Sequence, residues 1–527
     1  MSETVVYDDK LPEAWRLAYQ RDREGGTSYA DPSPERRAAR ALAAFILAGL
    51  AFLALPGTFL GAWNLIVISE HRAPTAASAA WIQAHGHAQL FGWVGSFILG
   101  ISLYVLPKFR GRALKNFGMV WTVWALWTAG VAWRWWVGIG ASEWRLGLVS
   151  SAVLELAAYA LTQRILVFRG GSSRKKPSDL GSWLGICGFG ALGVALIFNL
   201  GVCVYVALRG STPVFPPTWD RTFLLIALWG FTVTVAWGYS TRFVTIFLGL
   251  KTPMHRAARW LSIGVAALVA TALARQFLLA DLLALGLTIY AMSAVRIFQA
   301  SVRPPKRAGV YAHYPSFIRL AYVWLAVGAA LGLAADLAPR VTGLAGASRH
   351  AITVGFIATL IFALAPRILP SFLNGRELYS TWIMALSLWL LSVGCLLRVL
   401  SEAIAYSAGG RLWSILPLSA FLELAAVIAF VVNMAATLTE PLPAWFSESG
   451  VNLNLPLYWY VTSFPKTRHV LVQAGLKTLA ATREIPRSLS LREAVMADGA
   501  DVNQVLSQLN EFFNRRRPRR PERKDHR

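Results

Sequence analysis

Charge is scarce in this 527-residue chain: 15 % of residues are charged against 56 % hydrophobic, which excludes an ordinary soluble globule of this length. Acidic residues are the scarcer sign, 27 against 51 Lys and Arg, leaving a formal charge of +24. Cysteine is limited to Cys187, Cys203 and Cys395, all inside apolar stretches and without paired spacing. That excludes a disulfide framework and a cysteine zinc site, and leaves buried packing as their role. The first thirty-five residues contain no short apolar stretch followed by a small-residue cleavage site, so no removable signal peptide is expected.

What the chain does have is long apolar blocks. Twelve of them, at 41–69, 88–107, 116–139, 146–168, 182–208, 222–248, 258–276, 278–298, 316–335, 350–369, 378–399 and 412–438, can cross a hydrocarbon core of about 30 Å as helices. The expected fold is an all-α polytopic membrane bundle of about twelve transmembrane helices, followed by a small soluble helical domain. The divisions are a cytoplasmic segment 1–40, a membrane domain 41–440, a soluble domain 441–514 and a basic, unstructured tail 515–527.

The excess positive charge lies mainly in alternate connections: Lys108 to Arg112, Arg174 to Lys176, Lys251 to Arg259, and Arg303 to Arg307. By the positive-inside rule those loops and both termini are cytoplasmic, and loops 70–86 and 336–349 face outward. The basic patches and the tail imply contact with membrane lipid, and no nucleic-acid partner is expected.

The apolar blocks also repeat. His87-Ala-Gln-Leu-Phe-Gly92 runs through a helix to Leu106-Pro-Lys-Phe109, and His350-Ala-Ile-Thr-Val-Gly355 runs to Leu369-Pro-Ser-Phe372, with Gly, Pro and Phe in one register. A weaker middle copy has Gly230 in place and Leu225 where the histidine would stand. The twelve spans thus form three pseudo-repeats of four. Arg134, Arg275 and Arg398 follow each copy toward the outer ends of spans three, seven and eleven, and Glu155 and Glu423 match in spans four and twelve, where the middle copy has Tyr290.

Spans two and ten run parallel, and each begins with its histidine, so His87 and His350 lie at one depth. Two imidazoles placed in this way can hold a porphyrin iron from opposite sides. The alternative, helix capping or bonding to a backbone carbonyl near the interface, accounts for a lone histidine better than for a repeat-matched pair. Heme b is therefore the expected cofactor, with Arg134, Arg275 and Arg398 facing its propionates or else anchoring to lipid headgroups. His85 and His71 are further nitrogen donors, so a metal set of His71, His85, His87 and His350 with copper beside the heme is a second option. Glu155 and Glu423 form either a buried pair that joins helices or a proton path. A secondary transporter using these Glu and Arg side chains, or a membrane assembly or sensor protein, are the competing function classes. The tryptophans fit interfacial belts as well as a cofactor wall.

The run His85-Gly-His87-Ala-Gln-Leu-Phe-Gly-Trp93 resembles the His-x-His-x-x-Leu-Phe-Gly-aromatic signature of the NnrS family, and Arg242 to Gly249, Leu320 to Trp324 and His350 to Leu378 are similar to its later motifs. The resemblance covers roughly residues 40–440. It implies a bacterial inner-membrane protein containing heme and copper, linked to denitrification and to protection against nitric oxide. Two positions depart from the family pattern: Ala88-Gln89 stands for Glu-Met, and Arg319 for His. A more distant likeness is to the catalytic subunit of heme-copper oxidases, whose low-spin heme is held from helices two and ten. The copper-site histidines of that subunit have no counterpart in spans six and seven, so oxygen reduction by its mechanism is not expected. Residues Phe464 to Asn510 resemble small helical domains found beside iron–sulfur repair and hybrid-cluster proteins, without the cysteines some of those carry. An adaptor role toward a protein partner is the expectation for that domain.

Overall fold

The computed structural model describes residues 11–24, 32–109, 114, 116–140, 142–166, 180–372, 378–439 and 451–514. The basic runs Arg110 to Arg112 and Arg174 to Lys176, and the tail 515–527 with His526, lie outside them. Each of the twelve expected spans is a helix. Ten are long and apolar enough to cross a membrane: Arg36–His71, Ala79–Pro107, Trp144–Leu166, Leu180–Arg209, Pro217–Leu248, Phe277–Val295, Tyr314–Leu337, Leu344–Phe372, Thr381–Ser407 and Gly410–Leu438. Phe117–Ile139 and the shorter Ala257–Leu273 supply the third and seventh spans.

Burial orders these helices. In the second, sixth and tenth spans 83 %, 83 % and 78 % of the apolar stretch is enclosed, against 33–56 % in the seven others so characterised. The three repeat-matched spans therefore form the centre. Their ring of neighbours turns exposed Trp133, Trp136, Leu146, Ile197, Trp260 and Trp389 outward, where lipid is the natural solvent.

The second and tenth spans begin earlier than hydropathy indicates, at Ala79 and Leu344. Residues such as Gln83 and Arg349 lower local hydropathy, yet a backbone at this depth must satisfy its own hydrogen bonds, so the helix continues through them. His87 and His350 consequently stand about two turns inside their helices, instead of at the first residue.

The ends of the chain form a second compact unit. Leu457–Ser463, Pro465–Gln473, Lys477–Ala481, Leu491–Ala497 and Val502–Asn514 pack around Leu457, Tyr460, Leu471, Leu491, Val505 and Phe513. The helix Glu13–Glu24, which the sequence assigns to a separate segment, shares that core through Trp15, Ala18 and Tyr19. Asp22 accepts the backbone N–H groups of Arg487 at 2.6 Å and Ser488 at 3.1 Å, and the Tyr19 hydroxyl donates to the Glu484 carbonyl at 2.8 Å. Trp15 is fully buried, so Trp15→Ala is expected to cost this unit about 3–5 kcal/mol. The readout is rapid proteolysis of the C-terminal helices in the full-length protein, with the membrane helices left intact.

Ser490 caps Leu491–Ala497 in a reciprocal box with Glu493, and Arg21 pairs with the same carboxylate at 2.9 Å. Burial alone would raise the Glu493 carboxyl, but bonds from Ser490 and Arg21 outweigh it and hold the group below its ordinary value. A depressed carboxylate contributes stability above its unfolded pKa and loses it as pH falls through the folded one. Acid titration of protease resistance should therefore show a loss below the ordinary Glu range that is smaller in Glu493→Gln.

Candidate functional site

The three central spans share one backbone feature. Immediately after His87, Leu225 and His350 the helix widens into a π stretch, at Ala88–Gly95, Ile226–Val233 and Ala351–Ala358. The residue that closes each stretch is Ser96, Thr234 or Thr359, and the two threonines donate to the carbonyl five residues back, at 2.8 and 3.2 Å. A widened turn leaves carbonyls imperfectly paired, and a hydroxyl at this place satisfies one. The threefold repeat of the sequence is thus a repeat of backbone geometry.

His87 is buried, donates through Nε2 to the Glu155 carboxylate at 2.8 Å and stacks on Phe91 with centroids 4.7 Å apart. Among the described residues none hydrogen-bonds its Nδ1. His350 turns Nδ1 toward the Gly346 carbonyl and Glu402 Oε2, both at 2.9 Å. Facing two acceptors, that nitrogen carries the proton, so Nε2 keeps its lone pair, approached only by Arg398 at 3.4 Å. His85 donates Nδ1–H to the Gly57 carbonyl at 2.7 Å. That carbonyl belongs to a fourth π stretch, Leu53–Phe59, which contains Pro56. Each ring therefore has one nitrogen anchored by an acceptor and one available.

All three histidines line one cavity of about 350 Å³, together with Arg134, Arg349, Arg398, Asp220, Glu402 and Glu423. Arg134 lies with its guanidinium 4.7 Å from the Phe215 ring centre, and its Nε and one terminal nitrogen have no hydrogen-bond partner among the described residues. Arg398 sits 3.2 Å from Glu402 through Nε, without the alignment of a hydrogen bond, and one terminal nitrogen is likewise unpartnered. Gly130 and Gly394 repeat a packing detail: a Cβ at either would lie 2.9 Å from the Cγ of Glu155 or Glu423. Those two glutamates do not form the pair considered from sequence. Glu155 holds His87, whereas Glu423 reaches the cavity wall with Oε1 unpartnered.

Two expected members are elsewhere. Arg275 occupies a left-handed turn after Ala257–Leu273, with φ of 58°, and its guanidinium lies 5.7 Å from the Trp219 ring centre. His71 is exposed and bonds to the Val67 carbonyl of its own helix at 3.0 Å. Neither lines the cavity. Among the described residues no three His, Cys, Asp or Glu side chains converge to hold a metal ion, so the copper set that included His71 is not assembled. Conversely, Glu402 and Asp220 line the cavity and were not singled out. Glu402 stands four residues after Arg398 inside an apolar span, a spacing that marks an intrahelical pair.

A buried histidine, carboxylate and guanidinium cavity at the centre of a pseudo-threefold bundle defines a multi-pass helical membrane protein of the heme-copper oxidase fold. A solved heme-copper terminal oxidase, determined as a dimer by electron cryomicroscopy, aligns with a TM-score of 0.61 over 90 % of this chain and 98 % of its own, at 12 % identity. Residues 41–441 match the NnrS protein family, and the chain belongs to that family. No curated protein matches it.

Proposed function

We propose that this chain is a heme-bearing protein of the bacterial inner membrane, with both termini cytoplasmic, that acts in the nitric oxide response and in protection against denitrification-linked nitrosative stress. The observation that carries the reading is the pair of register-matched histidines on one cavity, each with one ring nitrogen held by an acceptor and a carboxylate beside it, Glu155 bonded to His87, and the Gly346 carbonyl bonded to His350 with Glu402 2.9 Å from the same nitrogen. Metal-binding imidazoles are oriented in this manner, because donating one N–H to a carboxylate fixes the ring and makes its other nitrogen more basic.

The residues fit a tetrapyrrole with two acidic side chains. His87 and His350 would hold heme b, and the unpartnered nitrogens of Arg134 and Arg398 would receive the propionates. A heme held by two imidazoles would supply one-electron transfer. The chain itself contributes ligand orientation, the aromatic wall of Phe91, Phe223 and Trp93, and exclusion of water.

An optical spectrum of the purified protein with metal analysis tests this reading. A Soret band and iron are expected, together with loss of the band when both histidines are changed to Ala; an absent band, or one unaffected by that change, would sink it. The unpartnered guanidinium nitrogens also suit an anion permease. Uptake by reconstituted, cofactor-free protein that depends on Glu423 would favour that second reading. The C-terminal helices are proposed to recruit a protein partner, so removal of 440–527 should abolish the phenotype and spare the spectrum.

A further inference from the structure

Two hollows at the histidine-bearing end of the bundle are lined by successive residues of one connection. The shallower, of about 430 Å³, is lined by residues that include Ala80, Trp81, Gly138, Trp144, Pro213 and Val214, and among the described residues no charged side chain lines it. The next residue in the chain, Phe215, is 2 % exposed and lines the histidine cavity instead. The connection 210–216 therefore lies between the two hollows, with Val214 lining one and Phe215 the other.

Side chains fasten this connection at both ends. Arg145 donates to the carbonyls of Ala207 at 2.6 Å and Gly210 at 2.9 Å. Gln83 grips Phe215 with both ends of its amide: Nε2 donates to the Phe215 carbonyl at 3.1 Å, and the Phe215 N–H donates to Oε1 at 2.8 Å. The Phe215 ring meets Arg134 on one face and sits edge-on to Phe223 at 6.0 Å, and Phe223 stacks with Phe91. The residue whose ring lines the cavity is thus held at its backbone by one side-chain amide on the same helix as His85 and His87.

We infer that the shallow hollow is the entry site through which a small uncharged molecule reaches the histidine cavity, with Phe215 as its gate and Gln83 as the latch. A charged species entering there would lose its water with no ionic or strong polar partner in return, which selects against it. Arg134 behind the gate adds a barrier to cations. The inference holds for whatever group the cavity carries.

The test uses full-length purified protein with Cys187, Cys203 and Cys395 replaced by Ala and Leu224, on the cavity wall, replaced by Cys. Modification of Leu224→Cys is timed with uncharged methyl methanethiosulfonate and with its sulfonatoethyl and trimethylammonium-ethyl analogues. Gln83→Ala, which loses two neutral hydrogen bonds, should speed the uncharged reagent about tenfold and Phe215→Ala further, with both charged reagents lagging. Ala80→Trp, which fills the hollow and leaves gate and latch in place, should slow the uncharged reagent and serves even where the other variants misfold. Equal rates in parent and Gln83→Ala, charged reagents as fast as the uncharged one, or no slowing by Ala80→Trp would each overturn the inference.

Discussion

Leucine in place of both His87 and His350 should yield a folded protein that purifies from membranes without its Soret band. The middle repeat supplies the control: Leu225 occupies the same register, and the span that carries it, Pro217–Leu248, has the same π stretch and the same depth of burial. An aliphatic side chain is therefore compatible with this backbone, and what leucine removes is a lone pair directed at the cavity. Single replacements should each weaken retention. Glu155→Gln and Glu402→Gln should have smaller effects, on the order of 10–100-fold in affinity, because they disturb the anchor and spare the ligand. A band that survives the double change with unaltered position would remove both histidines from the site.

Glu402→Leu is expected to be the most damaging single change at the cavity to the fold itself. Glu402 is 4 % exposed and faces His350 at 2.9 Å and Arg398 at 3.2 Å. Removing it strands a buried guanidinium, and breaking a buried pair in this way costs about 3–5 kcal/mol. The partner change separates charge from shape. Arg398→Leu together with Glu402→Leu should recover much of the lost thermal stability, since a pair removed as a unit leaves no orphan charge. The surroundings are built for this carboxylate: a Cβ at Gly346 would overlap Glu402 Oε1, so Gly346→Ala should reproduce part of the defect. Melting of detergent-solubilised protein checks all three, and a double variant no better than Glu402→Leu would refute the charge argument.

Much of this arrangement was legible in the sequence because it obeys a register. His87, Leu225 and His350 could be aligned by spacing alone, and Glu155, Arg134 and Arg398 followed from the same alignment. What escaped is what breaks the register. Glu402 has Gly138 as its first-repeat counterpart, and Gly138 packs closely on Ala84, so a search along matched positions passes over it. Arg275 follows the pattern in number only, because its helix ends after seventeen residues and the arginine falls in the turn. The π stretches leave no trace in hydropathy, since widening a helix by one residue changes no composition. Helix Glu13–Glu24 is polar overall, and only three of its side chains enter a core whose remaining members lie more than four hundred residues away.

That last feature constrains the topology. Trp15 and Tyr19 share one hydrophobic core with Leu457 and Phe513, so helix Glu13–Glu24 and the C-terminal helices lie in the same aqueous compartment. A chain that leaves a compartment and returns to it crosses the bilayer an even number of times. Twelve crossings satisfy this parity; eleven, which discounting short Ala257–Leu273 would give, do not.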